Sequence, residues 1–201
     1  MKDETSKPKK PPIIFSVGHS THTLEEFIDI IKKFKIEKII DIRTIPRSRH
    51  NPQFNKETLP ENLQASGIGY LHLTGLGGLR QPRVDSPNKG WRIASFRGYA
   101  DYMQTSDFEE NLETLMQMAM KERLAIMCAE SLPWRCHRSL IADALLVRGF
   151  EIEHIVNKGK TLTHTLTPWI KIEGTKITYP LTTKNKPSNL KQLQLRKMDT
   201  E

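Results

Sequence analysis

Short continuous apolar runs alternate with stretches of helical period through the middle of this chain. Ile13–Val17, a short continuous apolar run, and Lys38–Ile42, Tyr70–Leu73, Leu124–Cys128 and Ile152–Val156 read as strands. Between the first two, Leu24, Phe27, Ile28, Ile31 and Phe34 recur at helical spacing behind Thr23-Leu-Glu-Glu26, a capping box. A short helix is predicted around Glu57–Ala65, with Pro60 tolerable only in its first turn. A longer one is predicted from Ser106, where Ser106-Asp-Phe-Glu109 repeats the capping pattern and Phe108, Leu112, Leu115, Met116 and Ala119 form the buried stripe. The last carries Leu140, Ile141, Ala144 and Leu145 and stops at Gly149, a good residue just past a helix end. Leu79–Arg97 reads as irregular and basic.

Strands alternating with helices predict an α/β fold: a single domain with a mostly parallel sheet and helices on both faces, in Rossmann-like layering. Right-handed crossovers would then bring the carboxyl ends of the strands to one edge. The expected organisation is a basic, disordered arm over 1–12, the α/β domain over 13–156, a β-rich extension over 157–182 and a polar tail over 183–201. Within the extension, Trp169–Ile172 and Ile177–Tyr179 look strand-like. No internal repeat is visible.

Composition narrows the partners. Lys and Arg total 31 against 23 acids, a net charge of +8, which favours anionic partners: nucleic acid or a phosphorylated small molecule. No apolar run approaches a membrane span, the start of the chain lacks a signal-peptide pattern, and two cysteines make no disulfide framework. A cytoplasmic location with reduced thiols is expected. Nothing identifies a cofactor or an oligomeric state.

The chemistry concentrates where the strands end. His19 follows the first strand, Asp41 and Arg43 end the second, His72 and the Gly75-x-Gly77-Gly78 turn close the third, and Cys128 and Glu130 end the fourth. Carboxyl edges of open α/β sheets are where such folds bind ligands. Cys128-Ala-Glu-Ser-Leu-Pro-Trp-Arg-Cys136-His137-Arg138 joins the fourth strand to the last helix and holds both thiols. Four residues separate Cys136 from Leu140 and His137 from Ile141, so helical spacing turns both inward and Arg138 outward.

Candidate catalytic residues are His19, Asp41, Cys128, Glu130, Cys136 and His137. Arg135 and Arg138, at a helix start where an anion would offset the crowded positive potential, and Arg43, at the end of the second strand, are candidate anion ligands. His19 is read as an acid/base, or as a cap or partner for Asp41. Asp41 and Arg43 share one strand face, so they pair with each other or divide orienting and clamping roles. Glu130 serves either as a reacting acid or as an internal partner for an arginine. The thiols admit three readings: nucleophile, metal ligands Cys128, Cys136 and His137, or buried core. A phosphatase-type Cys-x5-Arg fits poorly, since Trp134 stands at that spacing and Arg135 one place later. Arg47, Arg49, Trp91 and Arg92, with aromatics interleaved among bases, are a candidate nucleic-acid surface. The glycine turn is not followed by the apolar helix that dinucleotide binding requires.

Taken in order, Gly18-His-Ser20, Asp41-x-Arg43, Pro46-Arg-Ser-Arg49, Pro52-x-Phe54, Gly67-Ile-x-Tyr70, Leu76-Gly-Gly78, Cys128-x-Glu130 and Cys136-His-Arg138 resemble the domain of unknown function family four-eight-eight, over about residues 13–156. The resemblance implies a compact α/β domain and no defined activity. An enzyme acting on nucleic acid or a nucleotide or other phosphorylated substrate is the leading expectation. A non-catalytic nucleic-acid-binding module and a metal-binding protein are the alternatives.

Overall fold

Five parallel strands form where the apolar runs stand: β1 (Ile13–Gly18), β2 (Lys38–Asp41), β3 (Gly69–His72), β4 (Leu124–Cys128) and β5 (Glu151–Asn157). The computed structural model describes residues 11–157 and 159–182. The expected arm up to residue 10 and the tail from 183 lie outside the described residues. A sixth strand, β6 (Lys160–Thr163), pairs antiparallel with β5, giving the order β3-β2-β4-β1-β5-β6. All five residues of β4 are buried, as suits a strand flanked by β2 and β1.

The order of the strands sorts the helices onto two faces. From β1 the chain moves through α1 (Leu24–Lys33) to β2, then through α2 (Leu59–Ala65) to β3, always in one direction across the sheet. It returns through α3 (Ala94–Tyr102) and α4 (Ser106–Ala119) to β4, and continues through α5 (Arg138–Val147) to β5. Right-handed crossovers running in opposite directions lie on opposite faces. Phe27, Ile31, Leu59 and Leu63 accordingly pack with Phe15, Ile39 and Met127 in one core. Phe108, Leu112, Leu140 and Leu145 pack with Ile14, Ile40 and Ile126 in the other.

Local signals act as expected at several ends. Thr23 and Glu26 form both bonds of the capping box, Pro60 sits in the first turn of α2, and Gly149 has φ 84°. Thr105, one residue before the predicted Ser106, caps α4. The stretch read as irregular ends inside α3, which the sequence pattern does not reveal. Beyond β6, the strand-like pieces form a two-stranded hairpin of β7 (Lys171–Glu173) and β8 (Lys176–Thr178). Among the described residues no helix is long and apolar enough to cross a membrane.

Candidate functional site at the carboxyl edge

The ladder between strands continues past their ends and ties three of them together. His19 N–H donates to Cys128 O at 3.0 Å and Ser20 N–H to Ala129 O at 2.9 Å, extending β1 along β4. Ile42 N–H donates to Met127 O at 3.0 Å, extending β2 along the other side of β4. His19, Asp41–Arg43 and Cys128 are thereby delivered to one edge. Gly18 permits the closest approach, since a Cβ there would overlap the Glu130 carbonyl oxygen.

Asp41 and Arg43 pair with each other. Arg43 donates from Nε to Asp41 Oδ1 at 2.9 Å and from Nη2 to Oδ2 at 2.6 Å, with Nη2 also bonding Phe54 O. Tyr70 O–H donates to the same carboxylate at 2.8 Å. Burial and the Asp41 charge push the Tyr70 hydroxyl well above its usual range, so it remains a donor. Arg43 Nη1 lies 3.1 Å from His19 Nε2. His19 Nδ1 is 2.9 Å from Ser20 O, which fixes the tautomer with the proton on Nδ1 and leaves Nε2 to accept from Arg43. Burial first, and Arg43 second, push the His19 pKa down to about 4. Its ring stacks on Phe54 at 4.3 Å. His19 is thus a neutral imidazole whose lone pair is already engaged, and Arg43 has spent four of its five side-chain N–H groups internally.

The turn after β4 carries the second group of candidates. Pro133–Arg135 forms a 3-10 turn and Cys136 is extended, with φ −132° and ψ 149°. Helical spacing therefore does not run back from α5 through Cys136. Arg138, read as outward-facing, is fully buried at 0% exposure. It donates from Nη1 to Ser16 Oγ at 3.0 Å and from Nη2 to Glu130 O, while Nε finds no acceptor oxygen. A guanidinium in that position does not reach a ligand from solvent. Arg135 is exposed.

Cys128, Cys136 and His137 place their sulfur and nitrogen atoms within 4.8 Å of one another. Both thiols are free and buried. A hydrogen bond from Cys128 and the Arg138 guanidinium hold the Cys136 thiol below its ordinary range, against the effect of burial. Giving that bond raises the Cys128 thiol, with burial adding to the rise. Burial likewise lowers His137.

Two cavities open beside these groups. One, of about 400 Å³, is lined by His19, Ser20, Arg43, Arg47, Asn51 and Glu130 among others. The second, of about 170 Å³, is lined by Ser95, Cys128, Glu130, Arg135, Cys136 and His137 with neighbouring apolar residues. Glu130 belongs to both, and its exposed carboxylate makes no ion pair with another described residue. Arg47 and Arg49 are exposed and line an adjoining groove of about 610 Å³. Trp91 instead packs against Phe96, Trp169 and Tyr179, while Arg92 is exposed.

The residues missed in the sequence are those that meet from afar. Tyr70 and Phe54 complete the Asp41 network. Asp143, at 0% exposure, accepts from Thr167 N–H, Thr167 O–H and Tyr179 O–H, and lies 3.0 Å from His164 Nε2. His164 Nδ1 is 3.0 Å from His154 Nε2. His154 and His164 line a third cavity, of about 400 Å³, with Pro133, Trp134, Ser139 and Trp169. Nothing in local periodicity marks these pairings.

A family model described as Domain of unknown function DUF488 matches residues 23–145. No curated protein and no solved structure matches the chain. The Gly18-His19-Ser20 turn stands before the matched residues, and β5 and the hairpin stand after them. Because the match takes in more than half of the 201 residues, from the cap of α1 to the body of α5, this chain belongs to the DUF488 family.

Proposed function

We propose that this protein is an enzyme that takes a phosphorylated substrate, a nucleotide or a nucleic-acid strand, at the carboxyl edge of its sheet. The observation that supports the reading is the place of Glu130, shared by a cavity walled with arginines, hydroxyls and an amide and a cavity walled with thiols and an imidazole. Arg47 supplies the exposed guanidinium for a phosphate, and Ser20, Thr21, Ser48 and Asn51 supply neutral donors around it. Arg43 contributes positive potential from behind, with four of its five side-chain N–H groups committed to Asp41, Phe54 and His19. In this assignment His19 positions Arg43, and Glu130, whose carboxylate has no cation paired to it among the described residues, moves the proton.

Calorimetric titration with inorganic phosphate, a nucleoside monophosphate and a short single strand tests the assignment. Arg47→Ala is expected to weaken binding roughly 10–100-fold, the value of a charge-assisted hydrogen bond. Glu130→Gln is expected to abolish turnover while leaving binding within a few fold. Equal affinity in wild type and Arg47→Ala would reject the cavity as the site.

The exposed Arg47 and Arg49 along the adjoining groove favour one second reading, a module that binds nucleic acid without chemistry. Steep salt dependence of oligonucleotide binding with no turnover of any phosphoester distinguishes it.

A further inference from the structure

The buried guanidinium of Arg138 lacks an anionic partner among the described residues. Its contacts are Ser16 Oγ and the carbonyl oxygens of Glu130 and Ser131, all neutral, and Nε meets no acceptor oxygen. A buried charge held only by neutral groups is costly unless negative charge lies close by. Two free, buried thiols that can carry negative charge, Cys128 and Cys136, stand on the turn that leads into Arg138.

His137 is built to offer a lone pair to the same place. Its Nε2 is 3.2 Å from Ile42 O, which fixes the proton on that nitrogen and leaves the Nδ1 lone pair to accept. Nδ1 lies 3.6 Å from Cys136 Sγ. Gly78 keeps that nitrogen uncovered, since a Cβ there would come within 3.1 Å of it. In a tetrahedral zinc site with bonds of about 2.3 Å to sulfur, ligand atoms sit roughly 3.5–4 Å apart. The 4.8 Å limit on this trio is one small side-chain adjustment from that spacing.

We propose that Cys128, Cys136 and His137 bind a thiophilic divalent ion of the zinc class, leaving a fourth position that faces the cavity holding Glu130, Arg135 and Ser95. Two thiolates and one imidazole with an open position is a donor set suited to catalysis rather than to a closed structural site. Two thiolates neutralise the ion, and the Arg138 guanidinium behind them favours the thiolate form in which they bind it. The site does not depend on the phosphorylated-substrate reading, because its ligands are not the groups assigned to the phosphate.

Cobalt titration of the reduced, full-length, metal-free protein tests the proposal, followed by displacement with zinc. The expected result is one ion per chain, with a near-ultraviolet sulfur-to-cobalt charge-transfer band and the intense visible bands of tetrahedral cobalt. Cys136→Ser and His137→Ala are each expected to weaken binding by more than the roughly 10–100-fold that loss of an outer-shell partner costs. Circular dichroism of each variant separates lost ligation from lost fold. X-ray absorption of the zinc-loaded wild type avoids substitution and should resolve two sulfurs at about 2.3 Å and a nitrogen near 2.0–2.1 Å. Substoichiometric binding, a zinc shell without sulfur, or affinity unchanged in folded His137→Ala would overturn the proposal. Phosphate binding is measured on the metal-free protein, so the two sites stand or fall independently.

Discussion

Replacing Asp41 with Asn changes one atom at the centre of the edge and leaves shape intact. Asp41 is fully buried and receives Arg43 N–H at 3.0 Å, Arg43 Nε at 2.9 Å, Arg43 Nη2 at 2.6 Å and Tyr70 O–H at 2.8 Å. Asn offers one acceptor oxygen for those donors and turns an NH2 toward the rest. It also leaves the Arg43 guanidinium, only 6% exposed, without its counter-charge. Breaking a buried pair by removing one partner costs about 3–5 kcal/mol. With a urea slope of about 2 kcal/mol per M, the unfolding midpoint should fall by roughly 1.5–2.5 M at unchanged slope. Adding Arg43→Met removes the stranded charge, so Asp41→Asn/Arg43→Met should be more stable than Asp41→Asn alone. A midpoint shift below about 0.5 M, or a double variant less stable than the single, would refute the reasoning.

Other consequences are equally open to measurement. His19 and His154 have pKa values lowered to about 4 and about 3, each chiefly by burial, so the unfolded chain takes up their protons first as pH falls. Their stabilisation is complete above about pH 6.5 and is lost as pH drops toward those folded values, about 2 kcal/mol for each by pH 5. Urea midpoints at pH 7 and pH 5 check this, and His19→Gln should flatten the dependence; equal midpoints would contradict it. Asp143→Ala strands the donors of Thr167 and Tyr179, at about 1–3 kcal/mol for each buried group, and should make residues 159–182 more protease-sensitive while β1–β4 stay protected. Gly18→Ala forces the Glu130 carbonyl away from β1, so it should lower phosphate affinity more than tenfold; affinity at the wild-type level would separate that turn from the site.

Much of the layout is legible in local patterning. Continuous apolar runs identify β1, β2 and β4, because strands buried on both faces need no alternation. The capping box of α1 and Gly149 after α5 report their ends because the backbone geometry they satisfy is local. α3 is hidden for a physical reason. It carries Gly98 in mid-helix, where a Cβ would meet the Arg80 backbone, so packing overrides propensity. β6 has four exposed residues and no apolar face, and only its pairing with β5 makes it a strand. The gathering of His19, Asp41 and Cys128 at one edge follows from topology and was readable. The burial of Arg138 was not, since its outward placement relied on Ala142 facing solvent, and α5 is buried on every side from Arg138 to Leu145. Tyr70, Phe54 and the Asp143–His164–His154 chain depend on contacts between distant segments, which no window of sequence contains.

The most direct measurement is anomalous diffraction from crystals of the full chain soaked in tungstate, an electron-dense analogue of phosphate. A phosphate seat at the carboxyl edge predicts a peak beside Arg47 in the cavity formed with Ser20, Arg43 and Asn51. A cavity without a peak, in crystals where the oxyanion binds elsewhere on the protein, would contradict it.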